Sequence, residues 1–272
     1  MKIGIIGAGK LTQGIIAGWL ESDSVKRSQI WAVTKSSKSA NRVRKNFGIH
    51  CSSRIDPKKL IASDIILLGV KPYHLEEVCR DLLENGLRQP TVIYSVLAGV
   101  DSKQLQRTLG QKNPVIVTMT NTPCTVGQGM TTLYKGRYTT AAHMKKATQL
   151  FSKVGHVLPM PEKLFHEVTA LSASGPAFVY YLMKLMSDAA TNQGVPPKKA
   201  QELCAQTFLG AATMLLKENT TLEKLISNVT TPGGCTIEGV KALKASRLEP
   251  VFKKTLDVTR NKSRLLARRK KT

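Results

Sequence analysis

Hydrophobic and polar positions follow two different patterns along the chain. Over residues 1–160, short runs rich in isoleucine, leucine and valine predict five buried strands, at Ile3–Ile6, Ile30–Val33, Ile65–Val70, Thr91–Ser95 and Val115–Met119. Helical spacing between them predicts helices at Leu11–Leu20, Ala40–Phe47, Pro57–Ala62, Leu75–Asn85 and Ser102–Leu109. Strands that alternate with helices indicate a parallel sheet with crossover helices.

The second pattern begins after Pro161, where the helical spacing continues and the strand pattern stops. We therefore predict two domains, an α/β domain over residues 1–160 and an all-α domain over residues 161–272. The helix that runs from Ala177 to Met186 is apolar around nearly its whole circumference. A small domain cannot cover such a helix alone, so we expect it to be buried between protomers.

A glycine-rich segment follows the first strand directly and opens the first helix. It reads Gly7-Ala8-Gly9-Lys10-Leu11-Thr12-Gln13-Gly14, the pattern and context of a Rossmann dinucleotide-binding fingerprint on a doubly wound sheet. Gly7 permits the tight turn, and Gly9 lets the backbone approach a pyrophosphate at the helix N-terminus. Thr12 departs from the small residue of the pattern. The predicted cofactor contacts here are Ile6, Gly7, Ala8, Gly9, Lys10 and Leu11.

The end of the second predicted strand bears on the choice of cofactor. NAD-binding domains usually place an acidic residue here for the ribose hydroxyls, but residues 33–38 read Val-Thr-Lys-Ser-Ser-Lys. Hydroxyl and lysine side chains suit a 2′-phosphate, with Arg42 and Arg44 a little further on. We predict NADPH as the cofactor, with NADH as the alternative, and contacts from Thr34 and Lys35.

Composition adds an unusual net charge of +23. Such a field attracts phosphates of any kind, and seven basic residues without an acid lie between Arg260 and Thr272. No aromatic side chain interleaves them to stack a base, so we interpret the segment as a solvated helix end and not a nucleic-acid site.

Targeting signals and cysteine usage bear on where the protein works. The first residues lack a secretory pattern, and no apolar run is long enough to span a bilayer. The five cysteines are scattered without metal-ligand spacing. We expect a cytoplasmic protein with reduced thiols, no membrane association and no metal.

Five further segments together resemble those of pyrroline-5-carboxylate reductases, over essentially the whole chain. They are Gly69-Val70-Lys71-Pro72, Ser95-Val96-Leu97-Ala98-Gly99, Met119-Thr120-Asn121-Thr122-Pro123, the segment from Ala170 to Ala177 (Ala-Leu-Ser-Ala-Ser-Gly-Pro-Ala), and Val229-Thr230-Thr231-Pro232-Gly233-Gly234-Cys235-Thr236. The chain departs from the family at Ala173, where glycine is usual, at Thr12, and at Val117 or Thr118, where arginine is frequent.

The resemblance implies an NADPH-dependent reduction of pyrroline-5-carboxylate to L-proline, the last step of proline biosynthesis. The first three segments would border the nicotinamide, with contacts from Gly69, Val70, Lys71, Pro72, Leu97, Ala98 and Asn121. The last would bind the substrate through Thr231, Gly233, Gly234, Cys235 and Thr236. Backbone N–H groups would hold its carboxylate, and the catalytic Thr236 hydroxyl would bond the ring nitrogen. The resemblance also implies that the all-α domain is a dimerisation domain, with homodimers joining into a larger ring such as a decamer.

Two other functions are compatible with parts of the sequence. The first is a related two-domain imine or β-hydroxyacid reductase, which generally relies on a lysine of the helical domain. Its candidates Lys163, Lys184 and Lys198 lack the surrounding motif. The second is a non-enzymatic nucleotide or nucleic-acid binder that uses the positive charge. It would leave the segments at residues 121–123 and 232–236 without a purpose.

Overall fold

The computed structural model describes residues 1–268 and divides them into two compact units. Unit 1 comprises Met1–Ser174 together with the chain from Thr259 onward, and unit 2 comprises Gly175–Val258. These units do not coincide with the predicted domains 1–160 and 161–272, because the chain stays with the sheet as far as Ser174 and returns to it at Thr259. The assignment of functions to the two predicted domains stays a prediction.

Unit 1 is built on a single eight-stranded sheet. Its strands are β1 (Ile3–Ile6), β2 (Ile30–Val33), β3 (His50–Ser52), β4 (Ile65–Leu68), β5 (Val92–Ser95), β6 (Val115–Thr120), β7 (Gly129–Lys135) and β8 (Gly155–Pro159). Their order across the sheet is β3-β2-β1-β4-β5-β6-β7-β8. The first six are parallel, so their carboxyl ends share one edge, and the order reverses between β1 and β4. Ligands of open α/β sheets bind at such a reversal.

The predicted fold class is confirmed, but the sheet is larger than predicted. Strands β3, β7 and β8 were missed, and β7 runs antiparallel to β6. The eight residues 121–128 between β6 and β7 are too few for a crossover connection, so the chain turns back beside the strand it has just left. The sheet is therefore mixed at this end and not wholly parallel.

Helices cover both faces of the sheet. They are α1 (Lys10–Glu21), α2 (Ser37–Phe47), α3 (Pro57–Ile61), α4 (Leu75–Glu84), α5 (Ser102–Leu109), α6 (Ala141–Phe151) and α7 (Phe165–Val168). Of these, α6 was not predicted, and α7 lies in the region predicted to be all-α. Two apolar clusters result, one containing Ile5, Trp19 and Phe151 and the other Trp31, Ile66 and Phe165. Burial on both faces explains why the predicted strands read as continuous aliphatic runs.

Unit 2 consists of helices among the residues described. They are α8 (Gly175–Asn192), α9 (Pro197–Lys217), α10 (Leu222–Val229), α11 (Cys235–Ala245) and the first part of α12 (Leu248–Arg268). Helices α8 and α9 pack together around Ser187, Ala200 and Cys204. Tyr180 and Tyr181 of α8 are 60% and 62% exposed, and Leu185 and Met186 are also exposed. The apolar circumference of α8 is thus not covered within one chain.

The end of α12 belongs to unit 1. The Ser263 hydroxyl lies 2.9 Å from Nδ1 of His166, and Arg264 donates to Glu167 at 2.7 Å. The basic segment predicted as a solvated helix end is therefore partly docked; its residues 269–272 lie outside the described part of the chain. Within residues 1–268, no helix has the length and apolar character needed to cross a membrane.

Candidate functional site

The glycine-rich turn lies between β1 and α1, at the reversal of the strand order. Gly7 has a φ of +97°, and a Cβ there would lie 2.8 Å from backbone atoms of Gly69 and Val70. A Cβ on Gly9 would project into open space. Gly9 caps α1 but has no side chain to satisfy the first N–H groups of the helix. The turn therefore fits a pyrophosphate, which those N–H groups would bind.

Thr12 is accommodated by a pairing with Gly69. The Thr12 hydroxyl donates to the carbonyl oxygens of Gly7 at 2.8 Å and Gly9 at 3.1 Å, which fixes the turn. The Thr12 methyl fills the place where a Cβ on residue 69 would stand, and the Gly7 carbonyl oxygen is 2.7 Å from that point. Glycine is therefore required at position 69, both by the Thr12 methyl and by the Gly7 carbonyl.

Strand β3 brings a candidate residue that sequence reasoning missed. The N–H of Thr34 donates to the carbonyl of Ser52 at 3.0 Å, so the ends of β2 and β3 lie side by side. This arrangement brings Arg54, exposed and two residues beyond β3, to the edge where Lys35 is exposed. Arg44 instead donates to the carbonyl of Cys51 at 2.7 Å, which gives it a structural role in holding α2 against β3.

The next two predicted loops follow β4 and β5 at the same edge. Lys71, Pro72 and Ala98 are exposed, whereas Leu97 is buried in the core. The Ser95 hydroxyl, itself buried, accepts the N–H of Leu97 at 3.4 Å. The exposed residues of these loops can therefore reach a ligand, whereas the Leu97 side chain packs in the core beneath them.

Asn121 directly follows β6 and forms hydrogen bonds through both ends of its amide. Its Oδ1 accepts the N–H of Met130 at 2.9 Å, and its Nδ2 donates to the carbonyl of Ser172 at 3.2 Å. Nearby, the Thr118 hydroxyl donates to the carbonyl of Ser95 at 3.1 Å, and the Ala173 methyl packs against the core. Thr118 and Ala173, two positions where the chain departs from the family, thus both contribute to local packing.

The predicted substrate loop lies in unit 2. Gly233 has a φ of +76°, and the N–H of Gly234 donates to the carbonyl of Thr231 at 3.0 Å, which makes a tight turn into α11. A Cβ on Gly234 would lie 2.9 Å from Oγ1 of Thr231. Gly234 caps α11 without a side chain, while Cys235 and Thr236 are exposed in its first turn. The loop can present N–H groups and a hydroxyl to a small anion.

The cysteines differ in their surroundings. Burial raises the pKa of the Cys79 thiol to about 12, and burial also raises the pKa of Cys51 and of Cys124. Those three thiols stay protonated at neutral pH, which disfavours reaction. Cys235 is the exposed cysteine, and it adjoins Thr236 in the loop.

The predicted cofactor residues share one edge of the sheet in unit 1, and the predicted substrate residues share one turn in unit 2. The sheet is mixed, and a glycine turn with free helix N–H groups lies where the strand order reverses. These features define a dinucleotide-binding protein of the Rossmann class.

Comparisons with known proteins give the family. Residues 162–266 match the family model described as pyrroline-5-carboxylate reductase dimerisation, and residues 2–99 match the model described as NADP oxidoreductase, coenzyme F420-dependent. A pyrroline-5-carboxylate reductase from Pseudomonas aeruginosa is 33% identical over 98% of this chain and 97% of its own. The chain belongs to the pyrroline-5-carboxylate reductase family, as its sequence motifs predicted.

Solved structures of pyrroline-5-carboxylate reductases share the fold of this chain. The structure of a pyrroline-5-carboxylate reductase from Coxiella burnetii is 27% identical and superposes with a TM-score of 0.91, covering 98% of this chain and 99% of that one. A pyrroline carboxylate reductase from Plasmodium falciparum with NADP bound is 23% identical, with a TM-score of 0.86 and coverage of 98% of each chain. At 23% identity, the similarity to the Plasmodium falciparum structure supports the fold alone.

Proposed function

We propose that the protein reduces pyrroline-5-carboxylate to L-proline with NADPH, as the last step of proline biosynthesis. Membership of the reductase family over the full length of the chain carries this proposal. The glycine turn, with its positive φ at Gly7 and open space at Gly9, supports the cofactor part of it. The small residues and the hydroxyl of the turn at 231–236 support the substrate part.

The residues at the sheet edge would hold the cofactor from its phosphates to its nicotinamide. Backbone groups of Gly7, Gly9 and Lys10 would bind the pyrophosphate, and Lys35 with Thr34 would meet the 2′-phosphate. The loops that begin at Gly69 and Ser95 would border the nicotinamide. When bound, NADPH supplies the hydride.

The chain itself has a modest chemical task, because a cyclic imine with a protonated nitrogen accepts hydride without a covalent intermediate. N–H groups from Gly234 to Thr236 would bind the carboxylate, and the Thr236 hydroxyl would orient the ring nitrogen. Orientation of two bound reactants can contribute up to about 7–11 kcal/mol to the lowering of a barrier. The proposal requires that this turn reach the nicotinamide in the working assembly.

The alternatives have less support. A related β-hydroxyacid reductase would use a lysine as acid or base, and the candidate Lys184 is exposed on α8 and forms an ion pair with Asp188. A nucleic-acid binder would use the +23 charge, but Arg264 of the basic segment is paired with Glu167.

The same family membership supports a proposal for the assembly and the location of the protein. We infer a homodimer formed through unit 2, where the exposed apolar residues of α8 lie, with further association into a ring such as a decamer. Cytoplasmic location fits the cysteines, four of them buried and all of them free. Nucleic acid and membranes are not expected partners.

The decisive experiment is NADPH oxidation by the purified full chain, with pyrroline-5-carboxylate as substrate and open-chain keto acids as controls. We expect turnover with the cyclic imine alone and stoichiometric formation of proline. Turnover with a keto acid but not with the imine would contradict the proposal. A gel shift at physiological salt tests the nucleic-acid alternative separately.

A further inference from the structure

The helix that follows β8 contains a widened turn. After α7, residues Thr169–Ala173 form a π-helix, in which the N–H of Ser174 donates to the carbonyl of Thr169 at 3.0 Å. Such turns are rare, and they occur frequently at functional sites. This one overlaps the Ala170–Ala177 segment that helped to identify the family, and the first of the two chain segments of unit 1 ends directly after it, at Ser174.

The carbonyl of Ser172 has no α-helical partner, because residue 176, four positions further on, is proline and has no N–H. Instead, the amide nitrogen of Asn121 donates to it at 3.2 Å. Asn121 is 51 residues away in sequence, and its amide oxygen is fixed by the N–H of Met130 at 2.9 Å. The amide oxygen of Asn121 is therefore fixed by β7, and its amide nitrogen binds the π-helical turn.

We propose that Asn121 is a positioning residue that fixes the π-helical turn, and that it does not act by contacting the nicotinamide. Its amide is engaged at both ends in this bridge, the oxygen by the N–H of Met130 and one amide N–H by the carbonyl of Ser172. The kinetic part of this inference rests on the proposed function. If the turn is displaced, the Ala170–Ala177 segment is displaced with it, and we expect the reduction to slow. Its structural part stands on the two hydrogen bonds alone.

The neighbouring strand pair supplies a matched control. One register step from Met130, the Thr131 hydroxyl donates to Oγ1 of Thr120 at 2.9 Å, and both side chains are buried. Thr131→Val removes this bond between β6 and β7 without touching the bridge to Ser172. Any general effect of a lost hydrogen bond at this place will appear in both variants.

The test compares Asn121→Asp and Thr131→Val in the full chain by hydrogen–deuterium exchange. Aspartate keeps an acceptor for Met130 but places an oxygen against the Ser172 carbonyl. We expect amides of residues 169–174 to exchange about 3- to 30-fold faster in Asn121→Asp, and within about twofold of wild type in Thr131→Val. Asn121→Ala, which removes both bonds, serves in place of Asn121→Asp if that variant does not fold.

Kinetics provide the second readout. For Asn121→Asp we expect kcat/KM for pyrroline-5-carboxylate to fall roughly 10- to 100-fold, because small displacements near reacting groups are costly. The Kd of NADPH, measured by its fluorescence without substrate, should change less than about twofold. Unchanged exchange, or a Kd that rises tenfold, would overturn the proposal. If no variant or wild type reduces the imine, the proposed function fails while the exchange result still decides the structural role.

Discussion

Thr12 and Gly69 illustrate how one residue restricts its neighbour. The Thr12 hydroxyl bonds two carbonyl groups of the glycine turn, and its methyl occupies the space beside Gly69. Glycine at the start of the loop after β4 thus leaves room for threonine at this position of the fingerprint. The two segments lie 57 positions apart in sequence, so their dependence is visible only in the fold.

Thr236 is the residue on which the proposed chemistry depends most. Thr236→Ala should lower kcat by roughly 10- to 1000-fold, because a positioned hydroxyl is lost from the reacting nitrogen. Thr236→Ser keeps the hydroxyl and should retain most of the activity. The measurement is steady-state NADPH oxidation at saturating pyrroline-5-carboxylate. An unchanged rate in the alanine variant would remove Thr236 from the mechanism.

At the scale of elements, the edge formed by the ends of β2 and β3 should set the cofactor preference. The side-by-side ends bring Lys35 and Arg54 to one edge of the sheet, where we expect the 2′-phosphate to bind. Ser36 caps α2 there by accepting the N–H of Ser39 at 3.3 Å, which fixes the start of that helix. Two positively charged side chains and the N-terminus of α2 on one short edge favour binding of a doubly negative group such as the 2′-phosphate.

Lys35→Ala and Arg54→Ala test this edge. Each should lower kcat/KM for NADPH by about 10- to 100-fold, the effect of losing one charge-assisted hydrogen bond, and leave that for NADH nearly unchanged. Lys58→Ala, at an exposed lysine of α3, is the control. Equal losses with both cofactors would show that the two residues do not recognise the 2′-phosphate.

How far the elements could be predicted depended on their composition. Strands β1, β2, β4, β5 and β6 are short, mainly apolar runs that are almost entirely buried, which sequence patterns identify well. Strand β3 has only three residues, two of them polar; β7 begins with glycine and carries adjacent threonines; β8 ends in proline. Arg54 was missed because β3 was missed, and the Asn121 bridge was missed because its partner is a distant backbone carbonyl.

At the scale of the whole molecule, the uncovered face of α8 implies association. Leu185 is 47% exposed and lies one helical turn from Tyr181, so together they form part of an apolar stripe. Exposed apolar stripes of this kind mark protein interfaces. The family model that matches residues 162–266 carries dimerisation in its description, which agrees with that inference.

Leu185→Glu should weaken the dimer, because a charge would be buried in the apolar contact without a partner. We expect light scattering after size-exclusion chromatography to give a dimer or larger species for wild type and a shift toward monomer for the variant. Gln201→Glu, at an exposed polar position of α9, should leave the mass unchanged. A wild-type protein that is monomeric at micromolar concentration would contradict the burial of α8 between protomers.

The chain has two tryptophans, Trp19 and Trp31, and both lie in the core of unit 1, one on each face of the sheet. Intrinsic tryptophan emission is therefore a spectroscopic probe of unit 1 alone, whereas far-ultraviolet circular dichroism sees the helices of both units. Denaturation curves recorded with the two probes coincide only if the units lose their structure cooperatively.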